Sequence, residues 1–398
     1  MRNTICTLGL NLTASITNLF TSLFVTLYLY DLSSGDVMVL CKYWVSFCLS
    51  LLTAMFIHSH LFSKSRHRKW LEIIGSSGRL LFLVALVLLS ESSVAYIIPL
   101  GILNGFFTGT YYTTHNIYDI EGIQEDIRRR VIGIYEILNM SMKIVFPLLS
   151  GWLIYKLGMA SGVVCVICLS CISVLFSILY KDEGDSIGGK FSIKRLFNSI
   201  SSNRDTQETM SMFFSGCVYR GVIISYGALD IFLSVFMFKV FHTSLSVGLL
   251  NSLCNLIAIL FSFIFAAYSK RLGRKVSMLN FGSWVVIAVL MFLLLVNVSP
   301  VVMTILLGVF SITRCIDSCV YFSSRNSFIN SKDLASYRQE IYLVGECFLT
   351  VGRMIGFLLL YLYGLNEVFL PICLCLYGLA LVLMGGAQRK FYNKQYKC

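Results

Sequence analysis

The sequence predicts an all-α integral membrane protein with twelve transmembrane helices in two pseudo-symmetric halves of six. Three observations carry this reading. Of its 398 residues 57% are hydrophobic and 13% charged, with a mean hydropathy of +0.78; a soluble fold needs roughly a quarter of its residues charged to cover its surface. The apolar residues gather in runs of about 20, the length that crosses a hydrocarbon core as a helix. Lys and Arg fall in alternate loops between those runs. A β-barrel is excluded, because the runs are continuous and show no apolar/polar alternation.

The runs follow in order. The first, 8–30, carries Asn11, Ser15, Asn18 and Ser22 at steps of four, three and four, a polar stripe on an apolar helix. No small-residue cleavage site follows it, so it is a span and not a secretory leader. Runs 38–61 and 71–89 flank a basic loop. Arg79 lies about two turns inside the second of them and is expected to snorkel to the cytoplasmic surface. Run 94–114 carries Asn104, Thr108 and Tyr111 at comparable spacing. Such stripes either bond helices together in lipid or face a ligand, and spacing leaves both open. Runs 131–154 and 160–180 complete the first half. Cys165, Cys168 and Cys171 lie in the latter without a nearby His or carboxylate, which makes them helix filler and not metal ligands.

The least apolar segment, 181–208, is a cytoplasmic linker by composition. Within it Phe191, Ile193, Leu196, Phe197 and Ile200 interleave with Lys194 and Arg195. That pattern fits a short amphipathic helix on the inner membrane face, or a solvated loop. Runs 209–237, 246–268, 276–297, 300–324, 340–362 and 367–385 form the second half.

The basic loops 64–69, 128–130, 181–208, 270–275, 325–338 and 389–397, with Arg2, hold most of the 32 Lys and Arg. By the positive-inside rule they are cytoplasmic, and so are both termini. The expected location is a bacterial plasma membrane. The net charge of +12 then reflects topology and contact with anionic lipid, not nucleic-acid binding.

The two halves repeat at specific polar positions. Residues 63–69 and 269–275 coincide at four of seven positions at an offset of 206, and Arg128, Glu136 and Lys143 correspond to Arg338, Glu346 and Arg353 at an offset of 210. Parallel halves of six spans joined by a cytoplasmic linker are the organisation of major facilitator transporters. The sequence resembles that superfamily over essentially its whole length. Arg271, Leu272, Gly273, Arg274 and Lys275 resemble the Arg-x-Gly-Arg-Lys core of its signature loop. Lys270 stands where an acid usually begins the core, and Ala266 replaces an upstream glycine. In the first-half copy, Lys64 replaces the acid and His67 the glycine, ahead of Arg68 and Lys69. Pro147 and Gly151 resemble part of the glycine- and proline-rich motif of drug/proton antiporters.

The resemblance implies an N-terminal six-helix bundle at 1–180, the linker at 181–208 and a C-terminal bundle with a short tail at 209–398. It implies that spans 5 and 11 join the halves and that spans 1, 4, 7 and 10 line a central cavity. Nine charges lie well inside runs: Arg79, Glu136, Lys143, Arg220, Asp230, Arg314, Asp317, Glu346 and Arg353. Charges there face a cavity or a partner. Glu136 and Lys143, like Glu346 and Arg353, stand about 10.5 Å apart along a helix axis, so each is expected to pair with another helix and not within its own. They are either interhelical latches or, for the two acids, proton carriers. Asn11, Asn18, Asn104, Tyr111, Arg220, Asp230 and the i,i+3 pair Arg314 and Asp317 are the substrate-cavity candidates.

The expected activity is alternating-access transport of a small molecule. The expected driving force is the proton gradient, since no phosphate-binding loop for ATP is present. Efflux of an amphipathic, drug-like molecule or short peptide is the leading reading. Uptake of a sugar, nucleoside or organic ion, or a non-transporting sensor of the same fold, are the alternatives. No metalloenzyme motif or nucleophile elbow appears, so an enzyme is not expected. A monomer in contact with lipid, without cofactor, metal or nucleic acid, completes the expectation.

Overall fold

The computed structural model describes residues 2–62, 68–121, 128–181, 191–222, 226–272 and 337–364, with isolated positions between 301 and 383; at 61–62, 68, 116–121, 128–136, 205 and 262–272 only the backbone is described. The described chain is helical. Helix α1 is Arg2–Phe20, and it passes through a π-turn, Thr21–Val25, into α2, Thr26–Leu32. Then come α3 (Val37–Phe62), α4 (Arg68–Leu89), α5 (Ile97–Glu121), α6 (Arg128–Leu157) and α7 (Met159–Leu179). They are followed by α8 (Ile193–Ser201), α9 (Arg204–Gly221), α10 (Ala228–Phe241), α11 (Ser244–Leu272) and α12 (Arg338–Tyr363). Among the described residues seven helices are long and apolar enough to cross a membrane. The runs 276–297, 300–324 and 367–385 lie wholly or mostly outside the described residues.

Contacts divide the chain into two compact units, Met1–Lys190 with Ser234–Ser252, and Phe191–Leu233 with Leu253–Cys398. In the first unit α5 is the central element. Gly101, Gly105 and Gly109 recur every four residues along one face of it, and there the backbone of α3 comes into contact. A Cβ on Gly105 would lie 2.2 Å from the Phe47 carbonyl oxygen. In lipid no hydrophobic drive pulls helices together, so this small-residue seam lets dispersion and polar contacts act at short range. On the α3 side Tyr43, Trp44 and Phe47 are buried and stack edge to face. A second seam sets α4 against α5, where a Cβ on Gly75 would lie 2.7 Å from the Tyr111 backbone nitrogen. The outer surface carries the apolar bulk, for example Leu88, Ile102, Leu175 and Leu179, all exposed. The distribution is that of a protein solvated by hydrocarbon.

The run 209–237 is not one helix. It divides into α9 and α10, with Tyr226 between them at φ +72°. That backbone region is uncommon for a side chain with a Cβ, and Gly221 and Gly227 on either side favour interruption. The amphipathic pattern around Leu196 does form a helix, α8. Ser192 caps it, its hydroxyl accepting from the Arg195 amide at 3.4 Å. Part of its apolar face meets protein: Leu196 and Ile200 pack with Met210, Phe213 and Phe214 of α9 and Ile341 and Val344 of α12, while Phe197 stays exposed. Glu340 of α12 accepts from the Ser192 backbone N–H at 2.9 Å, which secures the start of α8 in the second unit.

Gly105→Leu is expected to destabilise the protein by more than the ~1–3 kcal/mol typical of an overpacked core, because the obstacle is backbone carbonyl. Ile102→Leu, on the exposed side of the same helix, is expected to be neutral. Thermal unfolding of the purified protein in detergent checks both; equal melting temperatures for the two variants would contradict the seam.

Candidate functional site

The apolar helices of the first unit enclose a chain of polar side chains on α1, α4 and α5. On α1 the stripe read from the sequence points at three different helices. Asn11 Oδ1 lies 2.5 Å from His115 Nε2 of α5. Ser15 Oγ donates to Asn139 Oδ1 of α6 at 2.7 Å. Asn18 uses both ends of its amide, Nδ2 donating to the Tyr112 hydroxyl at 2.7 Å and Oδ1 accepting from Arg79 Nη2 at 2.6 Å. Ser22 bonds within its own helix, to the Leu19 carbonyl. A neighbouring row, Thr13, Thr17 and Thr21, is buried and returns its hydroxyls to the α1 backbone.

On α5, Tyr111 is fully buried. Its hydroxyl lies 3.1 Å from both the Leu10 carbonyl and His115 Nδ1, its ring stacks on the His115 imidazole, and Arg79 Cζ sits 5.1 Å above it. Thr114 bonds to Glu72 of α4 and lies 3.0 Å from the Tyr111 carbonyl. Glu72 is fully buried. One continuous network therefore holds a carboxyl and a guanidinium of α4 and an imidazole of α5, joined to the Asn11 and Asn18 amides of α1.

Arg79 does not snorkel. It is 5% exposed and turned inward, because Asn18 and the Tyr111 ring face supply an acceptor and a π-cloud at guanidinium reach. Asn104 is buried against α3, donating to the Tyr43 hydroxyl at 2.9 Å, with Thr108 donating to Asn104 Oδ1 at 3.4 Å. It joins α5 to α3 and stands apart from the Glu72, Arg79 and His115 network.

In the second unit the geometry overturns the expectation for Glu346 and Arg353. They pair within one helix: Arg353 Nη1 lies 2.5 Å from Glu346 Oε1 and 3.4 Å from Thr350 Oγ1, with Cζ 6.0 Å from the Tyr226 ring centre. The extended arms of Arg and Glu close the two-turn gap, and Thr350 lies between them. Packing enforces this. A Cβ on Gly352 would lie 1.8 Å from the Val218 carbonyl oxygen, so α9 and α12 touch by backbone and leave Arg353 buried at 2% exposure. Arg220 is buried on α9, and Asp230 is half-buried at the start of α10. Lys143 is half-buried on α6 and Lys69 on α4. Arg314, Asp317, Lys64, Gly273, Arg274 and Lys275 lie outside the described residues, as do the side chains of Glu136, Arg68, Lys270 and Arg271.

Sequence reading missed Glu72, Tyr112 and His115. The signal for the first was present: Glu72 and Arg79 are seven residues apart, the same acid-to-base spacing as Glu136 to Lys143 and Glu346 to Arg353. Glu72 adjoins a basic loop, where a carboxylate ordinarily meets water, and that position masks its burial. His115 extends the Asn104, Thr108, Tyr111 stripe by one further turn, just past the apolar run.

A profile of the Major Facilitator Superfamily matches residues 5–357. An uncharacterised protein, YqgE, of Bacillus subtilis (strain 168) is 24% identical over 367 residues, covering 89% of this chain and 82% of its own. Among solved structures, the peptide transporter POT superposes with a TM-score of 0.70 at 11% identity, over 98% of this chain and 95% of its own. A bacterial homologue of the iron transporter ferroportin gives 0.67 at 14%, over 97% and 98%, and the nucleoside transporter NupG gives 0.63 at 16%, over 98% of each chain. These likenesses carry the fold.

Glu346→Ala strands a buried guanidinium and is expected to cost about 3–5 kcal/mol, whereas the double replacement Glu346→Ala with Arg353→Met recovers most of it. A melting-temperature cycle over the two singles and the double measures the coupling; additive effects would show that the pair does not hold α12.

Proposed function

Because this chain belongs to the Major Facilitator Superfamily, we propose that it is a proton-coupled secondary transporter of the plasma membrane. In this reading it works as a monomer with twelve spans and cytoplasmic termini, and its two six-helix bundles expose a central site to each side in turn. The observation that supports it is the network of Glu72 and Arg79 on α4 and His115 on α5, tied to Asn11 and Asn18 of α1. Ionisable groups in a membrane segment cost about 2.5–3.5 kcal/mol each on insertion scales, so a chain retains them where charge is handled.

The hydroxyls of this network suit proton exchange. Thr114 has one hydrogen and two acceptors in reach, Glu72 and the Tyr111 carbonyl. When Glu72 is ionised the hydrogen turns to it; when Glu72 is protonated, the acid donates and the hydrogen turns to the carbonyl. Tyr111 stands in the same relation to His115 Nδ1 and the Leu10 carbonyl. Either protonation state leaves each buried group paired, which lowers the cost of loading and releasing a proton. Glu346, already bonded to Arg353, is instead a latch that holds α12.

Export is the favoured direction, on the resemblance of residues 271–275 to the superfamily's signature loop and of Pro147 with Gly151 to part of the drug/proton antiporter motif. The hydrogen-bonding character of the network favours a polar or amphipathic cargo over a wholly apolar one. Uptake of a polar metabolite is the second reading, supported by the same polarity.

Accumulation and resistance assays in cells with and without the protein, each with a protonophore control, test this. The expected result is protonophore-sensitive transport that Glu72→Gln uncouples and Glu346→Gln leaves coupled. Protonophore-insensitive movement, or full coupling in Glu72→Gln, would count against it.

A further inference from the structure

Arg79 is a buried cation that meets no carboxylate among the described residues. Nη2 donates to Asn18 Oδ1 and the Tyr111 ring lies beneath the guanidinium, while Nε is buried without an acceptor. Arg353 shows what a satisfied arginine looks like in this protein, with a carboxylate and a hydroxyl on Nη1. Glu72 has the spacing to serve Arg79 as Glu346 serves Arg353, yet its bond goes to Thr114.

The surroundings are rich in donors. Asn18 turns its oxygen to Arg79 and its amide nitrogen to the Tyr112 oxygen. The Tyr112 hydrogen is therefore directed away from Asn18, and Asn18 Oδ1 is already engaged. Asn18 and Tyr112 are both half-buried, so this side of Arg79 is the one that can be reached. A guanidinium with spare N–H groups, beside a spare hydroxyl hydrogen, matches an oxyanion: it offers fork geometry for two oxygens and a further donor.

We propose, building on the transporter reading, that Arg79 with Asn18 and Tyr112 binds an anionic group of the transported molecule, a carboxylate or a phosphate. The anion supplies the counter-charge that no described carboxylate gives to Arg79. Asn18 and the Tyr111 ring hold the guanidinium in position while the site is empty.

The test is thermal unfolding of the full-length protein in detergent, at matched chloride ionic strength, with paired probes. One pair is an N-acetylated dipeptide and its C-terminal amide; the other is glycerol phosphate and glycerol. The expected result is stabilisation by an acidic member and none by its neutral counterpart, the responding pair telling carboxylate from phosphate. Arg79→Gln is expected to weaken that binding roughly tenfold to a hundredfold, the loss of a charged hydrogen bond. Asn18→Ala, which keeps the charge, is expected to weaken it less.

Without probe, Arg79→Gln is expected to melt at or above the wild-type temperature, since it removes a buried charge that meets no carboxylate among the described residues. The proposal is overturned if neutral and acidic members act alike, if no acid stabilises the wild type, if the acids stabilise Arg79→Gln equally, or if Arg79→Gln without probe melts well below wild type. An Arg79→Gln that does not fold counts as that last result, and Asn18→Ala with unchanged acid binding overturns the proposal independently. Protonophore-sensitive transport of neutral compounds alone would sink this inference and leave the transporter reading standing. Acid binding by Arg79 with no protonophore-sensitive transport would do the reverse.

Discussion

The first unit depends on how closely the backbone of α5 is approached from two sides. The α3 chain runs against Gly101, Gly105 and Gly109, and α4 presents Gly75 to the Tyr111 backbone. In a solvent of hydrocarbon tails, leucines on facing helices gain nothing by meeting each other instead of lipid. What joins the helices is contact at a range that large side chains forbid, and polar groups that find no partner in lipid. Once the glycine faces are seated, the residues that end α5, Tyr111, Tyr112, Thr114 and His115, are held against α1 and α4. The site is a consequence of the seams.

That arrangement also explains why polar residues are tolerated there. Asn11 bonds to α5, Asn18 to α5 and α4, and Ser15 to α6, so the stripe on α1 acts both as adhesive and as site. The two roles weighed for such a stripe are not exclusive. A group fully consumed in bonding, such as Asn104 with Tyr43 and Thr108, is structural. A group left with donors in hand, such as Arg79, has capacity for a ligand.

Equal spacing in the sequence has produced unequal chemistry. Glu72 with Arg79 and Glu346 with Arg353 are both acid and base seven residues apart on an apolar helix. On α12 the backbone of α9 presses against Gly352, and Arg353 runs along its own helix to Glu346. On α4 the neighbours are Asn18, Tyr111 and Thr114, which offer each charge a closer partner on another helix. The rule that two turns are too far for an ion pair fails on α12 because both side chains are long enough to close the gap.

Membrane residence and the helical fold class were legible in the sequence, since they follow from quantities each residue carries by itself: hydropathy, run length and the side on which a Lys or Arg falls; the superfamily was legible as a resemblance, through the repeat between halves and residues 271–275. The stripes on α1 and α5 were legible too, because a helix's period assigns faces before any neighbour is known. The sequence could not say what those faces meet. Whether Arg79 turned to lipid headgroups or to Asn18, whether run 209–237 stayed one helix, and whether the apolar side of α8 lay on lipid or on α9 and α12 depended on partners tens to hundreds of residues away. A hydrogen bond or an ion pair is a property of two groups in contact. Only the tertiary structure decides which contacts exist, and through them it turned a scatter of buried polar residues into one network with a cation to spare.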